Sequence, residues 1–507
     1  MATIGNLYEV LKSGFSARLD APFLCVPGQA PRLYGDLDEL SARYAGLLTE
    51  SGLECGDRVV VQVGKSPGAV ALYLACLRRG VVYVPLNTAY TAGELNHFLA
   101  DAGPRLFVCA PDAAEELGPV IDRAGVETTL TLDEQGGGSL AARAAETAPV
   151  HELAPRSADD VAAILYTSGT TGRSKGAMLT VDNLASNAST LVDIWGWRGD
   201  DVLLHALPVF HVHGLFVALH CAMLGGSPVL FLPRFDAAAV RAALPDATVM
   251  MGVPTFYTRL LDEPGFGADD CRNMRLFISG SAPLLASTFT DFANRTGHRI
   301  LERYGMSEAG MITSNPLEGE RTPGTVGYAL PGVDVRIRAD GDIAAADTVG
   351  NVEARGPNIF AGYWQMPEKT AAEFTNDGYF KTGDLGFLSA DGRLTLVGRA
   401  RDLIISGGFN IYPKEIERCL DELSGVLESA VIGVPHADLG EGVVAVIVSD
   451  GEATQEQGLR DALGDQLARF KQPRRFVFMD ELPRNTMGKV EKQRLREQFK
   501  DLLIQPG

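Results

Sequence analysis

The sequence has few cysteines, a deficit of positive charge and no long hydrophobic run. Its seven cysteines are scattered over 507 residues without a CxxC pair. That usage argues against a disulfide framework and is typical of a reducing compartment, so we expect a cytoplasmic location. Lysine and arginine number 45 against 64 acidic residues, a net charge of -19. Such a charge disfavours nucleic acid and anionic membranes as partners.

Signals for export and for membrane insertion are also missing. The longest apolar stretches, such as 69–77, are much shorter than the roughly 20 residues of a spanning helix. Residues 1–10 lack a basic region followed by an apolar core, so we expect no signal peptide. With 46% hydrophobic and 21% charged residues, the chain has the composition of a globular enzyme, and its length predicts more than one domain.

Alternating strands and helices predict a parallel sheet in the first part of the chain. Residues 59–63 and 81–84 have the apolar character of buried strands, and an alanine- and leucine-rich helix is predicted between them at 68–79. Together they form a βαβ unit. Thr91 and Glu94 then form a capping box at the start of the next helix.

A compact α+β unit is predicted near the C-terminus. Residues 443–448 have the apolar run of a strand, and Thr454 with Gln457 caps the helix that follows. The apolar stripe of this helix consists of Leu459, Leu463 and Leu467. The predicted fold class is therefore α/β, with a large N-terminal part of αβ layers and a small α+β part after it.

The loop that follows the apolar strand 161–165 concentrates hydroxyls, glycines and a lysine. It reads Tyr-Thr-Ser-Gly-Thr-Thr-Gly-Arg-Ser-Lys-Gly from Tyr166 to Gly176. Glycines let backbone N–H groups approach an anion, hydroxyls add donors and Lys175 adds charge, so phosphate is a natural ligand. This is not a Walker A loop, because neither Ser nor Thr follows Lys175. Taken alone, the segment fits a flexible polar hairpin equally well.

Four further motifs follow in order: RYGMSE at 303–308, YFKTGDLG at 379–386, GRARD at 398–402 and PRNTMGK at 483–489. With the hydroxyl-rich loop, they resemble the adenylate-forming superfamily of acyl- and aryl-CoA synthetases, nonribosomal adenylation domains and firefly-type luciferases. The resemblance covers the chain from about residue 160 onward. It implies activation of a carboxylic acid by ATP and Mg²⁺ as an acyl-adenylate, followed by transfer of the acyl group to coenzyme A.

The resemblance also implies roles for individual residues at the nucleotide. Tyr304 would stack on adenine, Asp384 and Arg399 would bind the ribose hydroxyls, and Glu308 with Thr167 would hold Mg²⁺. Taken singly, each of these residues also fits a core position, a turn cap or a surface charge. The full implied nucleotide set is Thr167, Ser168, Gly169, Thr170, Thr171, Gly172, Lys175, Tyr304, Gly305, Met306, Ser307, Asp384 and Arg399.

Lys489 is implied to be the catalytic lysine, a mobile charge that reaches the carboxylate and the α-phosphate. Acetylation would remove that charge, so a lysine acetyltransferase is an expected partner. Asp402 resembles the hinge between a large domain at 1–401 and a small mobile domain at 402–507. After a rotation about this hinge, a glycine-containing loop would line the tunnel for coenzyme A. An ordinary turn is the alternative for this loop, which includes Ser406, Gly407 and Gly408.

The identity of the acid depends on five positions. In an extended chain His211 and His213 would face the same side, and we expect them to contact the substrate rather than zinc, with His211 also catalytic. An inward-facing Arg259 would need a second carboxylate on the substrate, whereas an outward-facing one would simply be solvated. Together with Ser281 and Met306, these residues most resemble malonyl-CoA synthetases. We therefore predict malonate or methylmalonate as the acid.

Several alternatives share part of this pattern. An amino-acid adenylation domain would carry an aspartate near the position of His211, and we expect no carrier-protein segment here. A luciferase-like oxygenase would share the adenylation step, and another small or aryl acid would share the whole reaction. A non-catalytic nucleotide sensor is the alternative of a different class, but simple binding would need neither Lys489 nor Glu308.

Overall fold

A computed structural model of the chain describes residues 5–167, 174–406, 409–436, 439–450, 456–485 and 488–503. The described strands are β1 (Pro22–Cys25), β2 (Arg32–Leu33), β3 (Arg58–Gln62), β4 (Val82–Pro85), β5 (Leu106–Cys109), β6 (Thr128–Thr131), β7 (Val161–Thr167), β8 (Lys175–Thr180), β9 (Leu203–His205), β10 (Val229–Phe231), β11 (Val249–Gly252), β12 (Leu276–Ser279), β13 (Leu301–Met306), β14 (Gly310–Ser314), β15 (Tyr328–Ala329), β16 (Asp334–Ala339), β17 (Asp342–Ile343), β18 (Gly350–Arg355), β19 (Gly362–Tyr363), β20 (Phe380–Leu388), β21 (Leu394–Arg399), β22 (Ile404–Ser406), β23 (Phe409–Ile411), β24 (Val426–His436), β25 (Gly440–Ser449) and β26 (Arg475–Phe478).

The described α-helices are α1 (Leu7–Phe15), α2 (Tyr34–Glu50), α3 (Pro67–Arg79), α4 (Ala92–Ala102), α5 (Ala114–Ala124), α6 (Ser139–Glu146), α7 (Val181–Ile194), α8 (His220–Gly225), α9 (Ala237–Ala243), α10 (Pro254–Asp262), α11 (Ala286–Thr296), α12 (Pro367–Glu373), α13 (Pro413–Asp421), α14 (Glu456–Gln466) and α15 (Lys492–Phe499). A π-helix spans His213–Leu219, and short 3₁₀ turns span Leu244–Asp246, Ala400–Asp402 and Arg469–Lys471.

Two largely parallel sheets form the body of the N-terminal part. The strand order is β19-β8-β7-β4-β3-β5-β6 in the first sheet and β15-β14-β13-β12-β11-β9-β10-β1-β2 in the second. Strands β9 to β13 of the second sheet run parallel to one another, and one hydrophobic core joins both sheets. In parallel sheets, the loops that follow the strands gather at one edge, which is where such folds bind ligands.

Two smaller sheets complete the described fold. The antiparallel sheet β17-β16-β18-β20-β21 sets Asp384 directly opposite Arg399. The last sheet has the order β23-β22-β25-β24, with β26 parallel to β25. It has hydrophobic clusters of its own, formed with α13, α14 and α15. This unit is the small α+β domain, which follows a large N-terminal α/β domain.

The structure confirms the predicted fold class and most local predictions. The first βαβ unit is present with strand ends shifted by one residue or so. The Thr91–Glu94 capping box forms at the start of α4. Thr454 lies outside the described residues. The domain boundary at Asp402 and the rotation about it stay predictions. Of the helices in the described ranges, none has both the length and the apolar character that a membrane crossing demands.

Candidate active site

The hydroxyl-rich loop begins where β7 ends, at Thr167. Thr167 Oγ1 donates a hydrogen bond to Glu308 Oε1 over 3.2 Å, and the Tyr363 hydroxyl donates to the same oxygen over 3.1 Å. A carboxylate beside a hydroxyl is a ligand set that suits Mg²⁺, so these two side chains could hold the ion. Tyr363 was not predicted from sequence. The predicted loop residues Ser168, Gly169, Thr170, Thr171 and Gly172 lie outside the described residues.

Lys175 resumes the chain after this loop, at the start of β8. Its side chain is only 5% exposed, and Nζ lies 3.8 Å from Glu373 Oε1. The same ammonium lies 4.8 Å from the centre of the Tyr363 ring. Burial and then the charge of Lys369 lower the pKa of Lys175. Lys175, Tyr363 and Glu308 therefore form one polar cluster, which the phosphates of a bound nucleotide would contact.

The predicted ribose-binding pair forms across β20 and β21. Arg399 Nε lies 2.7 Å from Asp384 Oδ1, and the Tyr304 hydroxyl donates to Asp384 Oδ2. Tyr304 is buried, and burial raises the pKa of its hydroxyl well above the usual value, so it stays a neutral donor. The neighbours Gly305 and Met306 end β13, and Ser307 follows at the turn.

Lys489 reaches this pair from the small C-terminal domain. Its backbone N–H donates to Asn485 Oδ1 over 3.0 Å, which fixes the turn that carries it. A methyl group added at the preceding Gly488 would lie 3.1 Å from Thr255 Oγ1, so the turn contacts α10 of the large domain. Burial, and then repulsion from Arg399, lowers the pKa of Lys489 to about 8. The lysine therefore lies within electrostatic reach of the ribose pair.

The predicted hinge residue is engaged in an ion pair. Asp402 Oδ1 lies 2.6 Å from Arg496 Nη2 on α15. Burial would raise the pKa of Asp402, but the hydrogen bond and the charge of Arg496 lower it overall. Ser406 is buried at the end of β22. Gly407 and Gly408, predicted for the coenzyme A tunnel, lie outside the described residues.

The two histidines of the His-Val-His segment differ from the sequence prediction. They do not lie on an extended strand, because His213 begins the π-helix and its backbone N–H donates to His211 Nδ1 over 3.4 Å. His213 Nδ1 lies 3.3 Å from Ser281 Oγ, so two predicted substrate residues do meet. Burial, and then the charge of Arg303, lowers the pKa of His211 to about 4 and that of His213 far below its usual value. Both rings are neutral at physiological pH.

Arg303 is the functional candidate that the sequence analysis missed. It lies on β13 directly before Tyr304, and it is 2% exposed. Among the described residues, Nε and Nη2 of its guanidinium have no hydrogen-bond partner. Burial lowers the pKa of Arg303 to about 9, so the group is still charged at neutral pH. A side chain at Gly280 would overlap this guanidinium. The available signal was its place in the RYGMSE motif, directly before Tyr304.

The expectation that Arg259 faces the acyl pocket needs correction. Arg259 is exposed on α10, while Phe256, Tyr257 and Leu260 form the buried face of this helix. The second reading of the sequence, a solvated helix residue, is the one that its exposure matches. The buried guanidinium of the pocket is that of Arg303. Within the described ranges, no three or more His, Cys, Asp or Glu side chains are grouped to hold a metal ion.

The fold and the site together define an adenylate-forming enzyme. Glu308 with its Thr167 partner, the Asp384–Arg399 pair and Lys489 of the small domain interact electrostatically around Arg399, as the resemblance to that superfamily leads one to expect. Comparison with known proteins agrees with this class. The profile of the AMP-binding enzyme family matches residues 19–364, and that of the AMP-binding enzyme C-terminal domain matches residues 415–489. The chain belongs to the AMP-binding enzyme family.

Individual relatives narrow the class further. The chain is 34% identical to a malonate–CoA ligase of Arabidopsis thaliana, over 98% of this chain and 90% of that one. It is 33% identical to a long-chain-fatty-acid–CoA ligase of Mycobacterium tuberculosis, over 92% and 93%. The ATP-bound crystal structure of MatB from Rhodopseudomonas palustris superposes with a TM-score of 0.95 at 50% identity, covering 99% and 100%. The protein is an ATP-dependent, AMP-forming acid–CoA ligase.

Proposed function

We propose that this ligase acts on a short dicarboxylic acid, malonate or methylmalonate. Relatives of nearly equal identity include a malonate ligase and a long-chain fatty-acid ligase, so overall similarity alone does not select the acid. The site offers a way to distinguish dicarboxylic from monocarboxylic substrates. The observation that carries the proposal is the buried guanidinium of Arg303, whose Nε and Nη2 lack partners within the described part of the chain.

A buried, unpaired guanidinium is expensive, because its lost hydration is not replaced. A second carboxylate on the substrate would relieve that cost with two parallel hydrogen bonds, which no monocarboxylic acid can offer. His213 adds a polar atom for the same purpose, since its Nε2 also lacks a partner among the described residues. Because His211 and His213 are neutral, the pocket would carry one positive charge, which matches one distal carboxylate.

The reaction has two steps. In the first, an oxygen of the reacting carboxylate attacks the α-phosphorus of ATP, and pyrophosphate leaves as the acyl-adenylate forms. Thr167 and Glu308 would hold Mg²⁺, which supplies charge neutralisation at the phosphates. Lys489 would stabilise the negative charge on the α-phosphate. In the second step, the thiol of coenzyme A loses its proton and attacks the acyl carbon, so that AMP leaves and the thioester forms.

The proposal is tested with a panel of malonate, methylmalonate, propionate and butyrate, scored by AMP release with ATP and coenzyme A. We expect kcat/KM for the two dicarboxylic acids to exceed that for propionate by at least about 100-fold, the size of a broken buried charge pair. Equal values for malonate and propionate would refute the dicarboxylate assignment. A lack of acid-dependent pyrophosphate exchange with every acid would instead favour a non-catalytic nucleotide sensor.

Arg303→Met separates the role of the guanidinium from that of the fold. This variant should lose at least about 100-fold in kcat/KM for malonate and lose little for propionate. Its unfolding midpoint should stay equal or rise, because a buried unpaired charge has been removed. Arg272→Met is the matched control, since Arg272 is exposed. Equal losses on malonate and propionate would contradict the proposed contact.

Two further proposals concern regulation and location. Acetylation of Lys489 would remove the charge that this lysine brings to the nucleotide, so a lysine acetyltransferase would switch off adenylation. Chain synthesised with acetyl-lysine at position 489 should lack acid-dependent pyrophosphate exchange, and deacetylation should restore it.

We also propose a cytoplasmic location, supported by the scattered, unpaired cysteines, and fractionation of cells would test it.

A further inference from the structure

Lys65 connects the two parallel sheets at the edge where the pocket lies. It follows β3 of the first sheet, and its Nζ lies 2.7 Å from His205 Nδ1 and 2.8 Å from the His205 carbonyl oxygen. His205 is the last residue of β9 in the second sheet. The same Nζ lies 4.3 Å from the centre of the Phe231 ring on β10. A lysine whose charged end is enclosed by another sheet gives up hydration, and such a cost is typical of a functional constraint.

The contacts of His205 fix the proton on its ring. His205 Nε2 lies 2.9 Å from the carbonyl oxygen of Gly214. Because a carbonyl only accepts, Nε2 carries the proton and Nδ1 is left as the acceptor, which Lys65 satisfies. Burial, and then the charge of Lys65, lowers the pKa of His205 far below its usual value, so the ring stays neutral. Lys65 thus supplies the donor that this tautomer needs.

The other end of His205 holds the start of the π-helix. Gly214 is the second residue of that helix, and a side chain there would overlap the carbonyl of Pro208. The backbone at this point is therefore confined between Pro208 and His205. His213 directly precedes it, and His213 Nδ1 lies 3.3 Å from Ser281 Oγ. π-helical turns of this kind occur preferentially at functional sites.

We propose that Lys65 is a positioning residue for the acyl pocket, acting through His205 to hold the first turn of the π-helix and so keep His213 beside Ser281. The inference rests on the proposed role of this pocket in acid binding. Without Lys65, the Nδ1 lone pair of His205 is buried without a donor. The ring can relieve that cost only by moving, which releases the Gly214 carbonyl and the turn that carries His213.

The test is a double-mutant cycle with Lys65→Met, His205→Phe and the combined variant, run on the acid that the wild type uses best. Lys65→Met should raise KM for the acid about tenfold and leave KM for ATP unchanged, since the contacts of Lys65 and His205 described above do not include the proposed ribose-binding pair Asp384 and Arg399. In the His205→Phe background, Lys65→Met should add no further increase, because the two act as one unit. Effects that multiply, or equal increases in both KM values, would overturn the proposal.

Two further measurements distinguish a positioning role of Lys65 from a merely structural one. The ¹⁵N resonance of His205 Nδ1 should move in Lys65→Met towards that of a ring nitrogen without a donor, and Lys65→Arg, which retains donors, should restore KM for the acid to within about threefold. Lys500→Met is the control for loss of one exposed lysine. Should Lys65→Met fail to fold, Lys65→Leu, which also lacks a donor, replaces it in the cycle. A wild type that prefers propionate would refute the dicarboxylate pocket, yet the cycle would still report on Lys65.

Discussion

The pKa of Lys489 makes adenylation sensitive to pH in a range that is easy to measure. Burial and repulsion from Arg399 lower this pKa to about 8, and only the protonated lysine can stabilise the phosphate charge. The lysine is then about 90% protonated at pH 7 and about 10% protonated at pH 9. We therefore expect kcat/KM for adenylation to fall about tenfold between these two pH values.

The assay is acid-dependent ATP–pyrophosphate exchange at low ATP and low acid, because kcat/KM reports the titration of the free enzyme. At saturating substrate the falling limb should move to higher pH, since bound phosphates favour the charged lysine. Lys489→Arg keeps its charge throughout this range, so its residual exchange should lack the limb. A wild-type profile that is flat to pH 9.5, or an identical limb in Lys489→Arg, would refute the reasoning.

The lowered pKa of Lys489 affects stability in the opposite direction: stability should rise with pH in the range where adenylation falls. Between pH 8 and the usual lysine range, the unfolded chain holds a proton that the native chain has released, so the native state gains stability as pH rises through this window. Below pH 8 both states are protonated and the burial penalty is fully present. Lys489→Met should therefore be more stable than wild type at pH 7 and lose that advantage towards pH 10, which chemical unfolding at several pH values would measure.

Three further predictions follow from single contacts. Tyr304→Phe removes a donor to the buried carboxylate of Asp384 and should raise KM for ATP about fivefold; an unchanged KM would exclude that contact from nucleotide binding. Gly280→Ala forces the guanidinium of Arg303 aside and should raise KM for the dicarboxylic acid more than KM for ATP, and the reverse order would contradict the pocket. Trp195→Ala, at a fully buried ring, should lower the free energy of unfolding by about 3–5 kcal/mol in urea, and a loss below about 1 kcal/mol would count against it.

Local chemistry explains what could be predicted from the sequence. The Thr91–Glu94 capping box and the βαβ unit depend on neighbouring residues, and the structure contains both. The outward position of Arg259 was also available, because Val253, Phe256, Tyr257 and Leu260 form an i, i+3, i+4, i+7 stripe that excludes it. The sequence prediction gave more weight to the charge of Arg259, which suits a second carboxylate, than to its position outside this apolar stripe.

The features that the sequence did not predict, the π-helix at His213 and the burial of Arg303, depend on tertiary contacts. His213 begins a π-helix because Gly214 is confined by Pro208 and His205. The hydrophobic periodicity of the sequence does not reveal such contacts between segments. Arg303 follows Leu301 and Glu302 on a strand whose burial depends on the layers on both sides of the sheet. A single sequence does not reveal whether such a charge is exposed or enclosed, so its role emerges only from its missing partners.

We propose that two cations whose pKa values are lowered by burial attract the anionic substrates of this acidic chain. Arg303 and Lys489 both have pKa values lowered by burial, to about 9 and about 8, so each pays a desolvation cost that an anionic substrate can relieve. Arg303 lies on a strand in the middle of a sheet, whereas Lys489 lies on a turn of the second domain. A fixed charge suits selection of the acid, because it holds a distal carboxylate in one position. We propose that a charge on a separate domain suits the chemical step, because the proposed rotation of that domain would withdraw it once AMP has been joined to the acid.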